Sequence, residues 1–312
     1  MSSARAQSVE LGAFLCHNPA VLSDLRLGLS RWVPHMSVSQ TTAQGPLPQA
    51  TTAWQDLVEG SRQWDVYGRL GWLDVKRRYR RTVLGPGWSV VNLALFTSAL
   101  GMIGVGLWNQ SAEAYLPFLT SGLVVWMLIS TMMTEACAVF VNGANFVRQI
   151  KLNYSILVYA LVWRNFIGFL HNLVVYVVVA LIFPPIGIMS PATLLVVPGL
   201  ALLLLNGAWI GLLLGLCCLR FRDIQQLVGT VIQISIFITP IFWPPEVLKG
   251  SSRAIFVAYN PLYHLIEVVR APLIGQVPSA LTYWAVLITT AVGWTVAYLA
   301  FSRFRKRIPY WS

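Results

Sequence analysis

The stretch Lys76-Arg77-Arg78-Tyr79-Arg80-Arg81-Thr82-Val83-Leu84-Gly85-Pro86-Gly87-Trp88 decides how the chain is to be read. A dense run of cations passes through a Gly-Pro-Gly turn into a long stretch with no charge. Such a cluster resists crossing a bilayer and is held by anionic headgroups on the cytosolic face. It marks where the first membrane span begins and which way that span points.

Composition agrees. Of 312 residues, 56% are hydrophobic and 11% charged, against about 25% charged in an ordinary soluble domain. That much apolar surface calls for lipid. The net charge of +11 raises nucleic acid as a partner, but the cations cluster between apolar runs, which suits a membrane surface instead. Cys16, Cys137, Cys217 and Cys218 lack the C-x-x-C spacing of a metal or redox motif and read as buried free thiols. Residues 1–53 form an N-terminal extension without the pattern of a secretory signal. Its part from Ser37 to Ala53 is uncharged, rich in Ser, Thr, Gln and Pro, and reads as a flexible linker.

A helix needs about 20 apolar residues to cross roughly 30 Å of hydrocarbon. Six stretches qualify: residues 88–107, 115–134, 155–183, 193–219, 224–242 and 283–301. With the N-terminus in the cytosol, Arg148 and Lys151, then Arg220 and Arg222, then Arg303, Arg305, Lys306 and Arg307 all fall on the cytosolic side. The short outer loops hold no Lys or Arg. The asymmetry predicts an all-α integral membrane protein of six spans with both termini cytosolic.

Three segments are more than connections. Residues 54–81 are too polar to span. Trp54, Leu57, Trp72 and Tyr79 follow helical spacing, and cations crowd the end, which predicts an amphipathic helix in the cytosolic interface; packing on a soluble partner is the other reading. In the cytosolic loop 141–154, Phe146, Ile150 and Tyr154 sit at i, i+4 and i+8 beside Arg148 and Lys151, so a short helix would carry one apolar face. The outer segment 244–278 splits at Asn260-Pro261 into two halves, each too short to span. They suit re-entrant helices lining a pathway or a surface cap, and Glu267 and Arg270 are spaced to pair.

Chemistry for catalysis is missing. Each of the four lysines follows Val, Ile, Leu or Arg, so no Gly-Lys of a phosphate loop occurs. The histidines lack metal-ligand spacing, and no base and nucleophile form a set. Inside the spans, Arg164 is placed to snorkel to the cytosolic surface, and His171 and Asn172 suit bonds to neighbouring helices.

Four segments in order then carry a family likeness: residues 79–88 with Leu84-Gly85-Pro86-Gly87-Trp88, then Arg220-Phe221-Arg222-Asp223-Ile224, then Thr239-Pro240-Ile241-Phe242-Trp243, then Tyr259-Asn260-Pro261-Leu262-Tyr263-His264 with Arg270. Together they resemble the ABC-2 type permeases that export O-antigen, capsule and teichoic-acid-type polysaccharides. The resemblance implies a transport subunit, not an enzyme. It implies a homodimer in the bacterial inner membrane with two copies of an ABC ATPase subunit, which binds the ATP and Mg. The cargo it implies is an undecaprenyl-diphosphate-linked polysaccharide. The transmembrane domain would then be residues 82–312, with two short re-entrant periplasmic helices between spans five and six. Phe146, Arg148, Ile150 and Lys151 would dock the ATPase, and Lys76, Arg77, Arg78, Arg80 and Arg81 would attract the lipid diphosphate. Trp88, Phe96, Phe237, Phe242, Trp243, Tyr259 and Tyr263 would line the pore, because aromatic faces grip sugars without fixed hydroxyl patterns. An exporter of a small lipid or drug shares this topology, and a membrane glycan transferase is the reading from another class.

Overall fold

The computed structural model describes residues 52–80, 82–149, 152–184, 190–248 and 254–311. Residues 1–51 and the sequence candidates Arg81, Ile150 and Lys151 lie outside the described residues, as do the side chains of Phe146 and Arg148. Every regular element among the described residues is helical. They are α1 (Ala53–Arg62), α2 (Trp64–Tyr79), α3 (Gly87–Trp108), α4 (Ala112–Ala136), α5 (Val139–Gln149), α6 (Ser155–Ile182), α7 (Val196–Arg220), α8 (Ile224–Ile238), α9 (Ala254–Ala258), α10 (Pro261–Leu273), α11 (Ala280–Phe304) and α12 (Ile308–Trp311).

Five helices are long and apolar enough to cross a membrane: α3, α4, α6, α11, and α7 with the 3-10 turn Pro191–Leu195 that leads into it. Their ends are set by local chemistry. The α3 helix stops at Asn109, whose φ of 47° is left-handed. Ser111 then caps α4, accepting from Ala114 N at 3.4 Å. At the center lies α4, the most buried of the five, with Leu119, Val124 and Leu128 packed on Phe169 of α6 and on Leu265 and Val268 of α10. A second cluster at the other end joins Leu57, Phe140, Leu216, Phe301 and Ile308.

The fifth expected span, residues 224–242, is shorter than read. Helix α8 has 15 residues, about 22 Å at 1.5 Å rise, and none of them is buried. Thr239 precedes Pro240 and is pushed to extended backbone, with ψ 134°. The chain runs on without helix through Trp243. Apolar composition continues past Thr239, so hydropathy alone does not register the stop.

The polar segment before the first span is two helices broken at Gln63. Thr52 and Gln55 form a reciprocal capping box at the start of α1. The side packed on the bundle is made by Asp56, Leu57, Gly60 and Gly71, whereas Trp54, Trp64 and Trp72 are exposed. Contact is close: a Cβ on Gly71 would lie 3.0 Å from the carbonyl oxygen of Ala160.

In the loop 141–154, the helix begins earlier than the spacing suggested. It starts at Val139, one short turn after α4, and ends at Gln149. Its buried side includes Phe140 and Val147. Tyr154 is not on it but sits at the N-cap of α6.

Candidate functional site

The two ends of α4 each carry a buried polar cluster. At its C-terminal end Glu135 accepts from three side chains. Arg164 donates from Nε at 3.0 Å and Nη2 at 2.7 Å, Asn165 donates from Nδ2 at 2.8 Å, and Arg78 of α2 donates to the other oxygen. Arg164 also donates from Nη1 to Asp74 of α2 at 2.7 Å. So Arg164 reaches two acids, one at the end of α4 and one on α2. Burial works against the charge on Arg78, but the bond to Glu135 and its negative charge outweigh burial and raise the guanidinium's pKa.

Next to this cluster α1 is tied down by Asp56, which is fully buried. Its carboxylate accepts from the backbone amides of Ser155 at 2.9 Å and Tyr154 at 3.3 Å, capping α6 from another helix. It also accepts from Arg305 Nε at 2.6 Å, just beyond α11. Ser155 Oγ donates back to the Asp56 carbonyl at 2.6 Å, and Tyr159 donates to the Leu57 carbonyl at 3.0 Å. One carboxylate thereby joins the segment after α5, the polar entry helix and the chain end of the last span.

The other end of α4 faces the break after α8. Backbone groups outside a helix still need hydrogen-bond partners when buried, and here protein supplies them. Arg270 donates from Nη1 to the Pro240 carbonyl at 2.7 Å, Tyr115 donates to the Phe242 carbonyl at 2.6 Å, and Asn260 donates to Thr239 Oγ1 at 3.0 Å. Arg270 is only 1% exposed. It pairs with Glu267, as the spacing suggested, with Nε to Oε2 at 2.8 Å, and lies 4.3 Å from the center of the Phe118 ring. The turn signal Asn260-Pro261 becomes a helix start: Asn260 Oδ1 accepts from Leu262 N and Tyr263 N, and Pro261 occupies the first turn of α10. From there α10 runs buried between α4, α7 and α11. Tyr176 of α6 donates to the Leu273 carbonyl at its far end.

The structure brings some sequence candidates together. Phe237 and Phe242 meet edge-on at 5.7 Å between ring centers, and Trp243 Nε1 donates to the Phe237 carbonyl at 3.1 Å. Tyr263 packs on His264 and near Arg270, while Tyr259 is exposed. Trp88 and Phe96, on α3, are exposed and share no ring contact with that group among the described residues. Lys76, Arg77, Arg78 and Arg80 are exposed at the end of α2, and of these Arg78 is engaged by Glu135.

Five helices long and apolar enough to span, packed around buried polar clusters, define a multi-pass membrane protein. A model of the ABC-2 type transporter family matches residues 67–274, so the chain belongs to that family. It is a transport subunit and not an enzyme; ABC-2 permeases pair with an ATPase subunit. Among its relatives is the O-antigen export system permease protein RfbA of Klebsiella pneumoniae, 25% identical over 197 residues, which are 62% of this chain and 74% of the relative. The protein of the same description in Myxococcus xanthus is 22% identical over 200 residues, 64% of this chain and 76% of the relative.

Proposed function

We propose that the chain is the membrane subunit of an exporter for a lipid-linked cell-surface polysaccharide of O-antigen or capsule type. It works as a homodimer with two ATPase subunits in a bacterial inner membrane. The observation that carries this reading is the unwound segment after α8, held by Arg270 and Tyr115 beside Phe237, Phe242 and Trp243. Protein partners hold this irregular backbone open, and the aromatics beside it offer sugar-binding faces. The relatives' description as O-antigen export permeases supports the cargo class.

In this reading α8 completes the sixth crossing with its extended continuation, and both termini are cytosolic, as the charge pattern of the loops supports. Residues 54–81 lie in the cytosolic interface and residues 82–312 form the transmembrane domain. Trp88, Phe96, Tyr259 and Tyr263 add pore faces when two copies meet along α3 and α8, whose apolar sides a single chain leaves exposed. Lys76, Arg77, Arg80 and Arg81 attract the lipid diphosphate. The ATPase engages α5 and the two residues after it, through Phe146, Arg148, Ile150 and Lys151. Its push reaches α1, α6 and the end of α11 together through Asp56.

Deleting the gene in its host tests the proposal. Surface polymer should be lost while its lipid-linked precursor accumulates on the cytosolic side, as read by glycan staining and lipid extraction. Normal surface polymer with altered drug or lipid export would replace this reading by that of a small-molecule exporter.

A further inference from the structure

The seam between α3 and α6 carries two adjoining spaces that the export reading leaves unused. Near the basic end, a cavity of about 110 Å³ is bounded by α2, α3, α4 and α6. Arg78, Ser89, His171 and Asn172 are among its polar walls. Beyond it lies a groove of about 670 Å³, within the roughly 300–1,000 Å³ typical of ligand pockets. The two share one face of α6 and lie along successive turns of α3. On α3, Ser89 lines the cavity and Val90 and Ala94 line the groove; on α6, Asn172 lines the cavity and Val175 and Val179 the groove. Among the described lining residues of the groove only Thr97 and Ser98 are polar.

The polar end has unused bonding capacity. Asn172 is 7% exposed, yet its Oδ1 has no hydrogen-bond partner among the described residues, a costly state for a buried polar group. Arg78 directs one Nη to Glu135, and its other N–H groups make no bond among the described residues. The groove opens sideways, where Met102, Val178 and Ile182 are exposed.

We infer that this seam holds one bilayer phospholipid per chain, its phosphodiester headgroup in the polar cavity and an acyl chain in the groove. The phosphate accepts from Arg78, and the headgroup's amine or hydroxyl donates to Asn172. Charge balance selects this occupant over the diphosphate carrier. Arg78 and Arg164 already face Glu135 and Asp74, a balanced set that suits a zwitterionic phosphodiester headgroup better than a multiply charged anion. The inference does not depend on the identity of the exported cargo.

Native mass spectrometry of the full chain in mild detergent, delipidated and then titrated with phosphatidylethanolamine, phosphatidylglycerol or undecaprenyl diphosphate, tests it. One phospholipid per chain should be retained. Val178→Trp, which fills the groove, and Asn172→Leu, which removes the amide, should each weaken retention about tenfold. Leu299→Trp, on the exposed side of α11, should not. Equal retention in all three variants, retention of undecaprenyl diphosphate alone, or no retained lipid would overturn the inference. Surface-polymer assays on the same variants report separately on the export reading.

Discussion

At one end of α4 the buried charges that gather partners are carboxylates, and at the other end the gathering charge is a guanidinium. Glu135 and Asp56 collect donors from separate helices, binding α1, α2, α6 and the end of α11 into one joint. Arg270 instead gives its donors to an acid one turn away and to a main-chain carbonyl of a segment with no helix. The two chemistries answer different needs. Four helix ends meeting at one surface present free amides and guanidinium groups, which a carboxylate satisfies. An unwound strand inside the bundle presents free carbonyls, which require a donor. The first cluster ties regular elements to one another, and the second supports an irregular one.

Removing Arg270 should break that comparison most severely. Arg270→Ala leaves Glu267 without its partner and the Pro240 carbonyl without its donor, and breaking a buried pair costs about 3–5 kcal/mol. The expected result is a large fall in folded yield and in thermal midpoint in detergent, with Arg270→Lys recovering only part. Asp56→Asn should cost less, because its amide still accepts one backbone bond while losing the charge facing Arg305; about 1.5–3 kcal/mol is expected for a bond to a charged group. Its sharper readout is functional. ATP hydrolysis by the assembled complex should persist while transport per ATP falls, and transport at the wild-type ratio would show that Asp56 is a fold support only. Trp64→Ala marks the lower bound: at this exposed site the change in thermal midpoint should correspond to within about 0.5 kcal/mol, and a larger loss would mean that a partner covers the α2 surface.

The five long helices were legible because an uncharged run of the required length admits few alternatives, and residues 88–107 differ from the observed Gly87–Trp108 by one residue at each end. The pairing of Glu267 with Arg270 was legible because it is local on one helix. Asp56 was not, since the partners of its carboxylate lie 98, 99 and 249 positions away, and nothing near it in the chain marks it as buried. Gly60 illustrates the same limit: it reads as an ordinary glycine, yet a Cβ there would come within 2.1 Å of Ser155 Oγ. The early start of α5 escaped because no Gly or Pro separates it from α4, so spacing drew attention to Phe146 and Ile150 instead of Phe140 and Val147.

Because Tyr115 and Glu135 serve opposite ends of one helix, α4 is also a phase gauge. Each residue turns an α-helix by about 100°. Adding or deleting a single residue between those two positions would swing one anchor a quarter of a turn or more away from its partners, whatever the residue's polarity. The angular register of α4 is therefore fixed by its residue number as firmly as its chemistry is fixed by its side chains.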